Sequence, residues 1–378
     1  MKKILFAAST LSHIENFHIP YLEQFKKQGY IVHIMGKPNN KSNIPYVDKI
    51  IPLAFEKNMF SVKNLIVSFK IAKTIRNENY DIVNLHTTLA AFFTRLGIML
   101  SFKKPKLVIN TVHGYLFDSK SSFLKKTIML LAEKFTKCVT NTVIVMNSED
   151  YSIAAKYKLY KDNLYSITGM GINISKFHPI SVEDKISLRK EYSFNDNDFL
   201  LVYAAEFSKR KNQKFLLSSI KALINEGFTN IKLVLLGDGA LLEELKAYAK
   251  DLNILNNVIF TGYTKDTCTY YQLSDICVSS SRSEGLPFNI MEAMSVGLPI
   301  IASKVKGHTD LVTPYENGFL FEYDHVDEFC NYVKTIYKNQ NLMYSMRNKS
   351  LVLAKLYSLD AVLSNTISII SKEYESRL

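Results

Sequence analysis

The stretch DICVSSSRSEGLPFNIMEAMSVGLPIIAS (275–303) carries a whole strand–loop–helix–strand unit. DICVSS (275–280) and PIIAS (299–303) have the composition of short buried strands, and the residues from Phe288 onward start a helix. Arg282 to Pro287 then form a loop at the carboxyl edge of a parallel sheet, where open α/β folds bind ligands. Two acids flank this loop and helix, Glu284 and Glu292, with seven residues between them. Early helix amides lack partners within their own helix, and the helix dipole favours an anion beside them. Pro287 has no N–H, so the donors offered to a phosphate are Gly285, Leu286, Phe288 and Asn289. A carboxylate beside an anion site is awkward unless it accepts hydrogen bonds from hydroxyls. Glu284 can do this in the loop, and Glu292 about one helical turn deeper. A loop charge and a solvated first-turn acid remain the plain alternative for such a pair.

The same alternation runs outward in both directions. FLLVYAA (199–205), KLVLLG (232–237) and NVIFTG (257–262) read as further buried strands, with a helix from Ala240 to Asp251. Towards the N-terminus, ILFAA (4–8), YIVHIM (30–35), DIVNLH (81–86), KLVINTVH (106–113) and TVIVM (142–146) form an earlier series. Segments of helical periodicity separate them at 16–29, 64–79, 88–100 and 123–137. The tract from Gly169 to Glu191 breaks the rhythm. Two rounds of strand and helix imply two Rossmann-like, doubly wound parallel sheets with a cleft between them. The expected division is an N-terminal domain over 1–175, a C-terminal domain over 176–359, and a last helix over 360–378 packing back towards the first.

Length suits two domains: the chain has 378 residues, 47% apolar and 22% charged. Cys138, Cys268, Cys277 and Cys330 lie far apart without zinc-like spacing, as expected of reduced thiols in the cytoplasm. The opening MKKILFAASTLSHIE has too short an apolar run for a signal peptide and reads as a first strand. LAAFFTRLGIMLSF (89–102) is interrupted by Arg95 and falls short of the roughly 20 residues of a membrane span. Charge is unevenly shared. Residues 1–180 hold 25 Lys/Arg and 11 Asp/Glu, a net +14, whereas 181–378 hold 22 and 24, a net −2. One half therefore faces something anionic. The absence of recognition-helix, RNP or zinc-finger patterns argues against nucleic acid. SKSSFLKKTIMLLAEKFTK (119–137) interleaves Phe123, Leu124, Ile128, Leu131 and Phe135 with Lys120, Lys125, Lys126, Lys134 and Lys137. That pattern suits either a helix lying on an anionic membrane or an ordinary helix with its lysines outward.

From Gly169 to the end, the chain resembles the family-four glycosyltransferases, retaining enzymes of the GT-B fold. The likeness rests on the E-x7-E segment EGLPFNIME (284–292) with AMSVGLPIIAS (293–303), and on GMGINISKFHP (169–179), KNQKFLLSSI (211–220), LLGDGALLEEL (235–245) and VIFTGYT (258–264) in register. The first half resembles the family more loosely. The resemblance implies a bacterial enzyme moving a sugar from a nucleotide diphosphate, UDP being the preferred one, to a lipid-linked or growing glycan. Capsule or exopolysaccharide assembly at the cytoplasmic face of the membrane is the implied setting. By position, Glu284 contacts hydroxyls of the transferred sugar and Glu292 the ribose. The amides of Leu286 and Phe288 meet the diphosphate, Lys211 neutralises it, and Gly262, Tyr263 and Thr264 frame the base. His113, in NTVHGY, lies by the reacting sugar and can hydrogen-bond the acceptor. His13, His18 and His86 are weaker cleft candidates.

The chain departs from the family pattern at three places. Ala205-Glu206 stands where Gly-Arg is usual, leaving Lys209 or Arg210 to supply the missing cation. Asn173 replaces an aspartate, and no glycine occurs between Met1 and Gly29. No metal or other cofactor is expected, because lysine and helix amides can carry the phosphate charge. DND (196–198) therefore reads as a solvated turn. A nucleotide-sugar epimerase of the same fold and a non-catalytic nucleotide-sugar-binding module are the competing readings.

Overall fold

The apolar runs of the first half become fully buried strands because helices cover both faces of their sheet. The computed structural model describes residues 1–38, 43–56, 58–59, 61–119 and 121–378, so Lys120 of the basic segment lies outside the described residues. In chain order the elements are β1 (Lys3–Thr10), α1 (Leu11–Phe17), α2 (Ile19–Lys27), β2 (Ile31–Lys37), β3 (Lys49–Pro52), α3 (Val62–Glu78), β4 (Ile82–His86), α4 (Thr88–Ser101), β5 (Leu107–Val112), α5 (Phe123–Thr136), β6 (Thr142–Val145), α6 (Ser148–Tyr157) and β7 (Asn163–Ser166). These strands pair in parallel in the order β3-β2-β1-β4-β5-β6-β7. The helical segment expected over 16–29 is split at His18, where α1 ends and α2 begins with a proline in its first turn. Pro20 fits there because its missing N–H would have no partner in the helix anyway.

The second series is α7 (Val182–Glu191), β8 (Phe199–Ala204), α8 (Gln213–Asn225), β9 (Ile231–Leu236), α9 (Leu242–Asp251), β10 (Val258–Gly262), α10 (Thr267–Leu273), β11 (Ile276–Ser279), α11 (Phe288–Val296), β12 (Ile300–Ser303), α12 (His308–Leu311), β13 (Gly318–Phe321), α13 (Val326–Lys338), α14 (Gln340–Ala354) and α15 (Leu359–Glu375). Its sheet is parallel in the order β10-β9-β8-β11-β12-β13. Phe215, Phe321 and Phe329 fill its core under α8 and α13, with the Phe215 and Phe321 rings stacked 5.0 Å apart. The edge strands β3, β7 and β13 are only four residues each, too short to stand out as periodic runs.

The chain forms two units, Met1–Gly171 with Asp360–Leu378, and Ile172–Leu359. In the first unit, Glu373 of α15 accepts hydrogen bonds from Thr142 Oγ1 (2.7 Å), Asn163 Nδ2 (2.9 Å) and Tyr165 Oη (2.8 Å). Three neutral donors on one carboxylate tie this helix to the β6–β7 edge of the first sheet.

Both sheets reverse their winding direction once. In the first unit this falls between β1 and β4, in the second between β8 and β11. Loops leaving adjacent strands there run to opposite faces and leave a crevice at the carboxyl ends.

Candidate functional site

In the second unit, the loops after β8 and β11 bracket the crevice and are stitched together beneath it. Arg282 N–H donates to the Arg210 carbonyl (2.8 Å), and Ser280 Oγ donates to the carbonyls of Lys211 (3.0 Å) and Asn212 (2.9 Å). Tyr203, buried at the end of β8, shares a 2.7 Å hydrogen bond with Ser281 Oγ. These ties aim one side chain from each loop at the other: Lys211 Nζ lies 2.5 Å from Glu284 Oε1. Arg210 Nη1 lies 3.0 Å from Glu284 Oε2 and also donates to the Ser283 carbonyl. Burial alone would raise the Glu284 carboxyl, but the two cations outweigh it and hold the group below the ordinary range. Lys209 and Glu206 point to solvent. Of the two candidates for the missing family cation, then, Arg210 joins the cluster and Lys209 does not.

A loop with no signal in the sequence reading supports Glu284 from below. Gly307 sits at φ +79°, and a Cβ there would stand 2.4 Å from the Gly285 carbonyl oxygen and 3.4 Å from Glu284 Cβ. Beside it His308, fully buried, bonds the Ser279 hydroxyl through Nε2 (3.1 Å) and the Ser303 carbonyl through Nδ1 (2.7 Å). Burial lowers its pKa to about 4, so it is a neutral strut. Only the return of β12 beside β11 brings this Gly-His pair under the site.

Helix α11 starts at Phe288 with Pro287 as its N-cap, which offers no side-chain cap. Leu286 and Asn289 are buried at this end, and the Asn289 Nδ2 has no hydrogen-bond partner among the described residues. Glu292 is largely buried one turn on, 3.5 Å from the Tyr271 hydroxyl. Burial raises its pKa to about 7, the opposite of Glu284. The two acids of the opening stretch thus occupy different environments, one paired with cations and one shifted upward by burial. At the end of β10, Gly262 has φ +71° and accepts from Gly237 N–H (2.9 Å), while Tyr263 is exposed and the Thr264 hydroxyl accepts from Asp266 N–H (3.1 Å).

Two sequence features outside the crevice have local explanations. Asn173 Oδ1 accepts from Lys176 N–H (3.0 Å), a turn-forming bond that an aspartate would also make. Of DND (196–198), read as a solvated turn, Asp198 is in fact buried and accepts from Asn195 N–H (2.9 Å). It closes the turn into β8 and does not project as a solvated acid.

In the first unit, the crevice between β1 and β4 gathers four histidines. His13 and His18 come from α1 and its end, His86 from the end of β4, and His113 from just past β5. His86 Nδ1 lies 3.1 Å from His113 Nε2, and the His18 and His86 rings are 3.9 Å apart. His18 and His86 are buried, while His13 and His113 are partly open. Burial lowers all four pKa values, His13 to about 4 and His113 to about 3, so the cluster is uncharged at neutral pH. Thr87, after β4, holds φ +65°, a strained value for a β-branched residue, and its Oγ1 accepts from Ser9 N–H (2.9 Å). His113 borders a cavity of about 540 Å³ with walls including Phe55, Met59, Leu89, Tyr115 and Leu116.

Comparison with known proteins places the chain in a family. Residues 184–351 match the family described as glycosyl transferases group 1, and residues 3–147 match glycosyl transferase 4-like. A putative glycosyltransferase EpsD of Bacillus subtilis is 32% identical over 90% of this chain and 89% of that protein. A UDP-Gal:alpha-D-GlcNAc-diphosphoundecaprenol alpha-1,3-galactosyltransferase of Escherichia coli is 27% identical over 85% and 84%. Among solved structures, sucrose-phosphate synthase from Thermosynechococcus elongatus has a TM-score of 0.81 over the full length of both chains at 18% identity. The chain belongs to the group 1 glycosyl transferases, two-domain enzymes of the GT-B fold.

Proposed function

We propose that the protein is a retaining glycosyltransferase of surface polysaccharide assembly, transferring a hexose or N-acetylhexosamine from a UDP-sugar to a lipid-diphosphate-linked glycan. The observation that carries this reading is the Lys211–Glu284–Arg210 cluster at the crevice of the second unit, beside the start of α11. A diphosphate entering there meets Lys211, Arg210 and the first-turn donors of α11, among them the buried Asn289 amide. It draws the two cations from Glu284, and the freed carboxylate accepts hydrogen bonds from the sugar hydroxyls. Glu292 takes the ribose hydroxyls, and Gly262 to Thr264 frame the base.

Transfer on the retained face needs no protein nucleophile. The acceptor oxygen bonds to the anomeric carbon as the bond to the diphosphate oxygen breaks, and that departing oxygen takes the acceptor's proton. The cations stabilise the charge growing on the leaving group, while Glu284 positions the sugar. Neutral His113 hydrogen-bonds a hydroxyl of the acceptor or donor sugar beside the reacting one. The lipid-linked acceptor is supported by the apolar cavity beside His113 and by the printed activity of the Escherichia coli relative.

Binding to an anionic membrane is supported by an inverted helix. On α5, Phe123 is 86% exposed, Leu124 70% and Leu131 62%, while Glu133 faces inward. Glu133 makes a bidentate pair (2.8 and 3.0 Å) with Arg95, itself fully buried on α4. An ordinary amphipathic helix would bury those apolar side chains. Here they stand outward among Lys125, Lys126 and Lys134, in the half of the chain carrying +14.

The test is release of UDP from UDP-sugars, with and without added membrane extract. Acceleration by extract and loss of turnover in Glu284→Ala support transfer. Consumption of donor unaffected by extract, or full activity in that variant, overturns it. Sedimentation with phosphatidylglycerol vesicles should fall in Phe123→Ser/Leu124→Ser/Leu131→Ser. Unchanged sedimentation removes the membrane part of the proposal.

A further inference from the structure

The histidine cluster of the first unit has a property that acceptor binding does not account for. His18 is fully buried, and neither of its ring nitrogens has a hydrogen-bond partner among the described residues. The same holds for His13 Nε2 and His86 Nε2. Leaving a buried polar group unsatisfied costs about 1–3 kcal/mol, so three such histidines in one place are expensive for a purely structural core. The ligating atoms of His13, His18 and His113 all lie within 4.8 Å of one another. Around an ion with metal–nitrogen bonds of about 2.0–2.1 Å in tetrahedral geometry, such atoms would be roughly 3.3 Å apart.

We propose that His13, His18 and His113 form a binding site for a divalent transition metal of the zinc type, with His86 as a supporting residue. The donors are nitrogen only, which suits zinc, cobalt, nickel or copper and not magnesium or calcium. The 3.1 Å contact between His86 Nδ1 and His113 Nε2 is a bond that fixes ring orientation and tautomer in histidine-bound metal sites. Spacing along the sequence (13, 18, 86, 113) matches no metal motif, because three separate elements supply the rings. With His113 Nε2 bonded to His86, a bound ion would take the remaining His113 nitrogen, so metal and sugar hydroxyl would compete for it beside the cavity.

The test uses the full-length chain stripped with chelator, then titrated with Zn²⁺ against a competing chelating dye. One equivalent should bind, and millimolar Mg²⁺ should not displace it. His13→Ala and His113→Ala, both partly open positions, should each weaken binding by more than the roughly 10–100-fold typical of losing a supporting residue. His178→Ala and His325→Ala, at exposed positions in the second unit, should bind as the parent does. Zinc-edge X-ray absorption of the loaded protein should report imidazole nitrogen without sulfur. Absence of stoichiometric uptake, undiminished uptake in the His13 and His113 variants, or sulfur in the coordination shell would each overturn the assignment. None of these readouts depends on transferase activity.

Discussion

Removing Lys211 and Glu284 singly and together isolates the coupling on which the donor site rests. With charge centres about 4 Å apart and an effective dielectric near 20, their attraction is about 4 kcal/mol before desolvation is subtracted. Glu284 is 8% exposed at its side chain and Lys211 12%, so solvent screens this pair little. Arg210, at 49%, compensates only in part when Lys211 is lost. Breaking a buried pair by removing one partner typically costs about 3–5 kcal/mol. With Arg210 still present, Lys211→Ala should lie near the low end, about 3 kcal/mol. Glu284→Ala leaves two cations facing each other and should cost at least as much. The double variant should be less damaging than the sum, by a coupling of about 1.5–3 kcal/mol. The assay is urea denaturation of all four proteins with equal m-values, followed by calorimetric titration with UDP. Glu284→Ala should bind UDP at least as tightly as the parent, because its cations are released, while Lys211→Ala should bind about 10–100-fold more weakly, in line with about 1.5–3 kcal/mol for a charge-assisted contact. Additivity within about 0.5 kcal/mol, or equal UDP affinity in all four, would refute the reasoning.

Glu292 should make stability depend on pH in an unusual sense. Its folded pKa, raised to about 7, lies above the unfolded value, so the folded state holds an extra proton in that window and stability falls as pH rises from about 4.5 to 7. Glu292→Gln should therefore stabilise the ligand-free protein at pH 8, by about 2–3 kcal/mol, and weaken nucleotide binding. Equal melting temperatures for the variant and the parent at pH 8 would contradict this. Glu133→Ala strands the buried Arg95 guanidinium and should cost about 3–5 kcal/mol in chemical denaturation, with Arg95→Met/Glu133→Leu recovering most of the loss. A cost below about 1 kcal/mol would place that pair among surface bridges. Gly307→Ala forces a Cβ against the Gly285 carbonyl at a left-handed φ, so the Glu284 loop must shift. Turnover should fall at least about tenfold with the fold intact by circular dichroism, and undiminished turnover would show that the loop tolerates displacement.

The sequence by itself determined the alternation of strand and helix, and with it two parallel sheets. Long apolar runs such as ILFAA and FLLVYAA can be satisfied only by burial on both faces, and that demand is local to the run. It also placed Glu284 on a loop and Glu292 on the following helix, since a strand end, a proline and a helix start are all readable in order. What it could not determine depends on strand neighbours. Arg210 and not Lys209 reaches Glu284 because β8 lies beside β11 and their loops are bonded together. The two glutamates acquire opposite pKa shifts from charges and burial supplied by other segments. Helix α5 reads as amphipathic either way, and only the buried Arg95 on α4 turns its acidic side inward. Four histidines separated by up to 100 positions meet because the first sheet switches direction between β1 and β4. A periodic pattern records which side of an element is apolar, while contact between elements is fixed by topology and packing.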